Sequence, residues 1–312
     1  MTVVDLFAGC GGWDLGARDL GIDPIGLEFD RWACSTRAAI GLQTIRCDIS
    51  TYPPPRKITG LIASPPCQDF SVAGKGAGRS GERGRLVDVV PEWVRACQPD
   101  WIACEQVPPV LPIWQEHAIG YREAGYSTWC GILNAADYGV PQTRKRAILL
   151  ASRDRVVRPP TPTHARHPQS PLFGPGRARW VTMAEALGWG RAVGPLHAIT
   201  TRAHTGNGAG GSNQRKAIDA EVERGLWVLD RPATTIVGSF CPDVVAAPGY
   251  RQAGDGPRQD APGSVRITER DAMILQGFPP DLPLQGPKTA RFLQIGNAFP
   301  PPVARRVLEV VS

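Results

Sequence analysis

The chain has 312 residues, of which 42% are hydrophobic and 21% are charged. This is enough apolar sequence to bury a sizeable core, which excludes a disordered chain, a collagen and a small disulfide scaffold. No uninterrupted apolar stretch approaches the roughly 20 residues that span a bilayer, and no signal peptide is recognisable, so we expect a cytoplasmic protein with no membrane partner. The eight cysteines lie singly, with no C-x-x-C pair, which predicts reduced thiols and no metal site.

The net charge of +6 is unevenly distributed along the chain. Residues 144–231 contain 15 basic and 6 acidic residues, whereas residues 1–143 contain 12 basic and 16 acidic ones. A concentrated positive segment of this kind is typical of a protein that binds a phosphate backbone. A solvated surface of the same composition is the alternative.

Residues 1–151 alternate short apolar runs with amphipathic ones. Buried strands are predicted at Val3–Phe7, Ile25–Phe29, Thr44–Cys47, Leu61–Ala63, Trp101–Cys104 and Ala147–Ala151. Helices are predicted between them at Asp14–Leu20, Arg31–Ile40, Asp88–Cys97 and Val110–Ala124. Repeated βα units predict an α/β fold with a doubly wound, mostly parallel sheet.

The composition changes near residues 158–162, which read RPPTP. From there to about residue 285 the sequence is rich in Pro, Gly, Arg and Thr with weak periodicity, which predicts a smaller, irregular domain. Residues 288–312 return to an apolar, helix-compatible pattern and are expected to pack back on the first domain. The predicted division is therefore 1–155 plus 288–312 for one domain and 156–287 for the other.

A glycine-rich turn follows the first predicted strand, where residues 5–12 read DLFAGCGG. The dinucleotide pattern G-x-G-x-x-G is absent because Asp14 stands at its third glycine, and no phosphate-binding Walker loop is present. A tight glycine turn without a pyrophosphate cradle predicts a nucleoside cofactor that lacks phosphates. Glu28 and Asp48 end the next two strands and are expected to contact this ligand, with solvated strand ends as the alternative.

A cysteine follows the fourth predicted strand, in residues 64–68, which read SPPCQ. A lone cysteine is usually structural, but Cys67 begins a loop at the carboxyl edge of the sheet, where a thiolate nucleophile would be placed. Glu105 closes the fifth strand at the same edge, and residues 142–146, QTRKR, enter the next strand. Three strand ends are therefore expected to converge on one cleft.

Five segments together resemble the DNA (cytosine-5)-methyltransferase family: DLFAGCGG, PPCQ, EQV, QTRKR and QIGNAFPPP, in the order and approximate spacing of that family. The resemblance spans the first domain and the carboxyl-terminal segment. It implies a Rossmann-like methyltransferase that uses S-adenosyl-L-methionine to methylate carbon 5 of a cytosine flipped out of a specific double-stranded DNA sequence. It also implies a nucleoid-associated protein, expected to be a monomer, for which a cognate restriction endonuclease is a candidate partner.

The resemblance implies catalytic roles for four residues. Carbon 5 of cytosine is a weak nucleophile, and addition of the Cys67 thiolate to carbon 6 would convert the ring into an enamine that can take the methyl group. Glu105 would act as the general acid at ring nitrogen N3. Arg144 and Arg146 would orient the base, its phosphate and the glutamate.

The resemblance also implies a set of cofactor contacts at the glycine turn, at the ends of the second and third strands, beside the nucleophile and in the tail. These residues are Phe7, Ala8, Gly9, Gly11, Gly12, Glu28, Phe29, Asp48, Ile49, Pro66, Leu86, Asn297 and Ala298.

Two segments are expected to contact DNA. Residues 68–85 resemble the closing loop of the family, and the resemblance implies that residues 156–287 are its target-recognition domain. Within that domain residues 205–214, TGNGAGGSNQ, resemble a recognition loop, although a flexible linker would look the same. The expected DNA contacts are Gln68, Lys75, Arg79, Arg83, Arg85, Arg202, Asn207, Asn213 and Arg215.

The sequence departs from the family at one site position. The family has Glu-Asn-Val where this chain has Glu105-Gln106-Val107, so the hydrogen bonds that brace the turn before Cys67 are expected to shift. Two alternatives remain open at this point, namely an RNA (tRNA) cytosine-5 methyltransferase and a sequence-specific DNA-binding protein with an impaired active site. The basic middle segment favours duplex DNA, and the retained Cys67 and Glu105 favour an enzyme.

Overall fold

The computed structural model describes residues 2–70, 77–168, 176–188, 233–234, 245–246, 265–266 and 268–312. Its centre is a seven-stranded sheet built from β1 (Val3–Leu6), β2 (Ile25–Glu28), β3 (Thr44–Arg46), β4 (Gly60–Ala63), β5 (Trp101–Gln106), β6 (Ser127–Asn134) and β8 (Lys145–Ser152). The strand order is β3-β2-β1-β4-β5-β8-β6. The first five strands are parallel, and β8 is antiparallel to both of its neighbours. The predicted α/β class with a mostly parallel sheet is confirmed.

Helices lie between and after these strands. They are α1 (Gly12–Arg18), α2 (Arg31–Ala39), α3 (Val89–Cys97), α4 (Leu111–Glu123), α5 (Met183–Leu187), α6 (Glu269–Gln276), α7 (Lys288–Asn297) and α8 (Pro301–Val311). The short paired strands are β7 (Gln142–Thr143), β9 (His164–Ala165), β10 (Ala178–Arg179), β11 (Ala233–Thr234), β12 (Val245–Ala246) and β13 (Val265–Arg266). Short 3-10 helices lie at Gly78–Ser80, Gly84–Asp88, Pro108–Val110 and Ala135–Tyr138. No helix within these described ranges is long and apolar enough to cross a membrane.

The sheet is covered on both faces, as the alternation of its side chains requires. Along β5, Ile102 packs into a core with α3 and α4, whereas Ala103 packs into a second core with α1 and α8. Leu149 and Leu150 divide in the same way on β8. These near-continuous apolar strands are buried on both sides, which explains why they contain so few polar residues.

The carboxyl-terminal tail packs on the first domain, as predicted. Val303, Val307 and Leu308 of α8 are buried in the core that also contains Trp13 of α1. The helices approach closely because Gly12 and Gly16 lack side chains, and a Cβ at either position would collide with the backbone of the tail. A third apolar cluster joins Cys10 and Met183 to α6 and α7.

The structure corrects the sequence analysis at two places. β6 was not predicted, because it is an edge strand whose residues are only partly buried, with Leu133 as its one buried side chain. The strand predicted at Val3–Phe7 ends at Leu6, because Phe7 has a φ of 60° and leaves the extended conformation. Most of the predicted second domain lies outside the described residues, so its boundaries stay a prediction.

Candidate active site

The turn after β1 is held open toward the carboxyl edge of the sheet. Phe7, Gly9 and Gly11 all have positive φ values, of 60°, 55° and 99°. The Gly9 N–H donates to a carboxylate oxygen of Glu28 at 2.7 Å, which ties the turn to the end of β2. A Cβ at Gly9 would meet no atom within 4 Å, so open space adjoins the turn. This is the space in which a ligand could approach the backbone.

The ends of β2 and β3 present an aromatic ring beside two carboxylates. The second oxygen of Glu28 accepts from the N–H groups of Phe29, at 2.8 Å, and Asp30, at 2.7 Å. The side chain of Phe29 is 69% exposed, which is unusual for a phenylalanine. Asp48 is exposed, and hydrogen bonds from the hydroxyl and N–H of Ser50 lower the pKa of its carboxyl. An exposed ring flanked by carboxylates fits the purine and ribose of a nucleoside.

The other predicted cofactor residues are distributed between this surface and the core. The side chain of Ile49 is buried in the core, so it does not line the surface beside Phe29. Gly12 packs against the backbone of Phe299. Asn297 is exposed at the end of α7. Of the remainder, Ala8 and Ala298 are buried and Pro66 and Leu86 are half-buried.

A buried ion pair that the sequence analysis missed supports the glycine turn from below. Arg37 donates to both carboxylate oxygens of Asp14, at 2.7 and 2.6 Å, and both side chains are fully buried. The same guanidinium reaches the carbonyl of Ala8 at 3.4 Å and passes over Gly26, where a Cβ would collide with it. Burial, and then the charge of Asp14, raise the pKa of the neighbouring Asp5 well above its usual range. An aspartate in the middle of the apolar run VVDLF was the available signal of a buried polar cluster.

The turn that carries Cys67 is braced by the residue at which this chain departs from the family pattern. The side-chain N–H₂ of Gln106 donates to the carbonyls of Pro65, at 2.9 Å, and Pro66, at 3.1 Å. Its side-chain oxygen accepts from the N–H of Val107, and the whole residue is buried. The longer amide therefore makes the bracing hydrogen bonds in this chain.

A glutamate and an arginine from adjacent antiparallel strands lie beside the thiol. Arg146 Nε on β8 is 2.6 Å from Glu105 Oε1 on β5, and both side chains are nearly buried. Burial raises the pKa of the Cys67 thiol, while the positive charges of Arg146 and Arg144 oppose that shift and Glu105 adds to it. Burial therefore opposes ionisation of the thiol, while the neighbouring cations favour its thiolate.

Arg144 is placed differently from Arg146. It is buried, and one of its terminal nitrogens donates to the carbonyls of Gly296, at 2.9 Å, and Ala298, at 3.1 Å. Burial and the neighbouring Arg146 lower the pKa of Arg144. Gln276 also donates to the Ala298 carbonyl, at 2.7 Å. Arg144 therefore links the start of β8, which contains Arg146, with the carboxyl-terminal tail, which contains Asn297.

The predicted DNA contacts are only partly within the described residues. Arg83 and Arg85 are exposed on the loop after Cys67, and Gln68 is half-buried beside the thiol. Arg79 is engaged in ion pairs with two acidic residues. The predictions that lie outside the described residues are Lys75, Arg202, Asn207, Asn213 and Arg215.

Comparisons with known proteins identify the family of the chain. Residues 1–177 and 209–312 match the family described as C-5 cytosine-specific DNA methylase, and the chain belongs to this family. The resemblance and the enzyme class predicted from the sequence, a DNA (cytosine-5-)-methyltransferase, are confirmed. The family is one of S-adenosylmethionine-dependent enzymes, and the similar proteins are of the restriction-modification type.

Two relatives illustrate the extent of the similarity. The Type II methyltransferase M1.HphI of Haemophilus parahaemolyticus is 26% identical over 339 aligned positions, covering 100% of this chain and 86% of the relative. The Type II methyltransferase M.NgoFVII of Neisseria gonorrhoeae is 28% identical over 343 positions, covering 99% and 87%.

Solved structures show the same fold. A Dnmt2 methyltransferase of S. pombe aligns with a TM-score of 0.65 and 15% identity, covering 100% of this chain and 98% of the other. A putative DNA modification methyltransferase encoded within a prophage of E. coli aligns with a TM-score of 0.62 and 21% identity, covering 99% and 97%.

Shortening the buried amide at position 106 should impair catalysis without affecting the cofactor surface. In Gln106→Asn the amide loses one methylene and cannot keep its bonds to both proline carbonyls and to Val107. Because a misplacement of about 1 Å in a catalytic group lowers a rate by on the order of a hundredfold, we expect the single-turnover methylation rate to fall by about ten- to a hundredfold. The affinity for S-adenosylmethionine, measured by calorimetry, should stay close to that of the wild type.

The matched control is Gln98→Asn, which makes the same change at the exposed end of α3, where Gln98 has a left-handed conformation that asparagine tolerates. This variant should methylate at the wild-type rate. An unchanged single-turnover methylation rate in Gln106→Asn would show that the amide does not position the Cys67 thiol.

Proposed function

We propose that this chain methylates carbon 5 of a cytosine in a specific double-stranded DNA sequence through a covalent bond between Cys67 and carbon 6. The observation that carries the proposal is the position of the Cys67 thiol beside the ion pair of Glu105 and Arg146, on a turn braced by a buried amide. A nucleophile, a carboxyl group and a cation at one strand edge are the groups that addition to a pyrimidine ring requires.

The protein groups act in sequence on the cytosine ring. The Cys67 thiol loses its proton to solvent and the thiolate adds to carbon 6, while Glu105 in its protonated form, held by Arg146, donates its own proton to N3 as negative charge develops there. Carbon 5, now nucleophilic, takes the methyl group. Water accepts the proton from carbon 5, the electrons of that C–H bond form the C5–C6 double bond again, and the Cys67 thiolate is expelled. N3 returns its proton to Glu105, which releases neutral 5-methylcytosine.

The proposed cofactor fits the residues that surround the glycine turn. Phe29 offers an exposed ring for the adenine, Glu28 and Asp48 offer acceptors for ribose hydroxyls and the exocyclic amine, and open space adjoins Gly9. When bound, S-adenosylmethionine supplies an electrophilic methyl group on a sulfonium. The turn contains no phosphate cradle, which suits a cofactor without phosphates.

DNA is the proposed substrate because reaction at carbon 5 needs access to a base that a duplex buries. Flipping the cytosine requires a few kcal/mol for unpairing and unstacking, which contacts to the backbone must offset. Arg83 and Arg85, exposed on the loop that follows Cys67, are proposed phosphate contacts. Residues 144–231, with 15 basic and 6 acidic residues, are proposed to supply further phosphate contacts and to recognise the target. By analogy with the Type II relatives, a companion restriction endonuclease is the proposed biological partner.

Bisulfite sequencing of DNA from a host that expresses the chain tests this proposal. We expect protected cytosines at one position of one short sequence, and none in the same host with an empty vector. Transfer of a labelled methyl group in vitro to duplex DNA, but not to tRNA, should accompany this result. Label in tRNA alone would favour the RNA methyltransferase, and sequence-specific DNA binding without any label would indicate an impaired enzyme.

A further inference from the structure

The side chain of Arg79 is bound on both sides by acidic residues. Its Nε and Nη2 atoms donate to Asp88, with distances of 2.9 Å to Oδ2 and 2.6 Å to Oδ1, and its Nη1 donates to Glu116 at 2.7 Å. Asp88 immediately precedes α3, and Glu116 lies on α4. One guanidinium therefore joins the loop that follows Cys67 to the residue that precedes α3 and to α4.

The segment that contains Arg79 is also fastened close to Cys67 by Asp69. The Asp69 carbonyl accepts from the Gly78 N–H at 2.9 Å, and its buried carboxylate accepts from the N–H groups of Arg83, at 2.9 Å, and Gly84, at 2.8 Å. A Cβ at Gly84 would collide with the Gly78 carbonyl. Residues 78–88 thus form a folded segment with one attachment two residues from the nucleophile and another on the helices.

The three arginines of this segment differ in their surroundings. Within the described ranges, the side chains of Arg83 and Arg85 are exposed and make no hydrogen bond or ion pair, whereas Arg79 contacts two carboxylates. A phosphate that approached Arg79 would meet the two negative charges of Asp88 and Glu116, which outnumber the single positive charge. Arg83 and Arg85 present no such obstacle.

We propose that Arg79 is a positioning residue, which holds residues 78–87 against α4 through Glu116 and against the start of α3 through Asp88, and does not contact a DNA phosphate. This proposal changes the role that the sequence predicts for Arg79. Its consequence is that Arg83, Arg85 and Leu86 keep fixed positions relative to Cys67 before DNA arrives. The effect on methylation rests on the proposed function, whereas the effect on the segment itself does not.

The experiment compares Arg79→Gln, Asp88→Asn and the double variant with Arg83→Gln. Amide hydrogen exchange of residues 78–88 in the full-length protein should be faster by several-fold in Arg79→Gln and in Asp88→Asn, and no faster in the double variant than in the more affected single one. Single-turnover methylation should slow by several-fold in the same variants. Arg79→Lys should restore only part of both effects, because an ammonium cannot make the bidentate contact.

The dependence of DNA affinity on salt separates positioning from phosphate contact. Arg83→Gln should make the slope of log K against log salt shallower by about 0.9, and Arg79→Gln should leave it unchanged. Arg95→Gln is the control, because it removes from α3 an exposed charge that forms no ion pair with any residue the structure describes. It should alter neither the slope nor the exchange of residues 78–88.

Two results would overturn the proposal. A slope shallower by about 0.9 in Arg79→Gln, with tighter DNA binding in Asp88→Asn, would make Arg79 a phosphate contact. Unchanged amide hydrogen exchange of residues 78–88 in both Arg79→Gln and Asp88→Asn would show that the ion pairs do not hold this segment in place. If the wild type methylates no nucleic acid, the proposed function fails, but hydrogen exchange still decides the role of Arg79.

Discussion

Cys67→Ala is expected to abolish both methylation and covalent capture of the target base. The wild type, given S-adenosylmethionine and duplex DNA with 5-fluorocytosine at the target position, should form an adduct that survives a denaturing gel. Fluorine at carbon 5 cannot leave as a proton does, so the bond between the Cys67 sulfur and carbon 6 would not break. Alanine has no nucleophile to form that bond, and the adduct band should be absent.

The control for this experiment is Cys130→Ala, which removes a half-buried thiol from β6 at the far edge of the sheet. It should form the adduct at the wild-type level. An adduct that persists in Cys67→Ala, or methylation by that variant, would exclude Cys67 as the nucleophile.

The sequence could predict which of these residues meet at one edge of the sheet because they lie at strand ends. The carboxyl ends of parallel strands meet at one edge of a sheet, so Cys67 after β4 and Glu105 near the end of β5 had to lie close together once the strands were identified. Arg146 was predicted at the start of the next strand. The structure places that strand antiparallel to β5, so its beginning lies at the same edge, and this direction produces the ion pair between Arg146 and Glu105.

The contacts that support the site could not be predicted from local patterns. Asp14 and Arg37 belong to different helices, and a helical period says which face is polar but not which residue of another helix faces it. The same limit applies to Arg79 and Glu116, which are brought together by the path of a loop. For Gln106 the sequence predicted only that the bracing hydrogen bonds would shift. Whether the longer side chain can still make them depends on where the Pro65 and Pro66 carbonyls lie, which a sequence pattern does not show.

Breaking the buried ion pair below the glycine turn should destabilise the fold more than any exposed pair does. In Arg37→Met the carboxylate of Asp14 stays fully buried without its cation, while Asp5 lies beside it. Removal of one partner of a buried pair typically costs about 3–5 kcal/mol, because an uncompensated charge remains in the interior. We expect the free energy of unfolding to fall by this amount. It is measured by urea titration, with the near-ultraviolet signal of the tryptophans as the readout.

The double variant Arg37→Met with Asp14→Leu should recover much of that loss, since apolar groups of similar volume often replace a buried pair without penalty. Arg305→Gln serves as the comparison, because Arg305 pairs with Asp19 and Glu309 at the surface and such pairs contribute only about 0–1 kcal/mol. If Arg37→Met proves as mild as Arg305→Gln, Asp14 must take up a proton or gain access to water when its partner is lost. Proton uptake would make the loss in Arg37→Met grow as the pH is raised, since a fold that binds a proton the unfolded chain does not bind loses stability with rising pH. Access to water would leave the loss independent of pH.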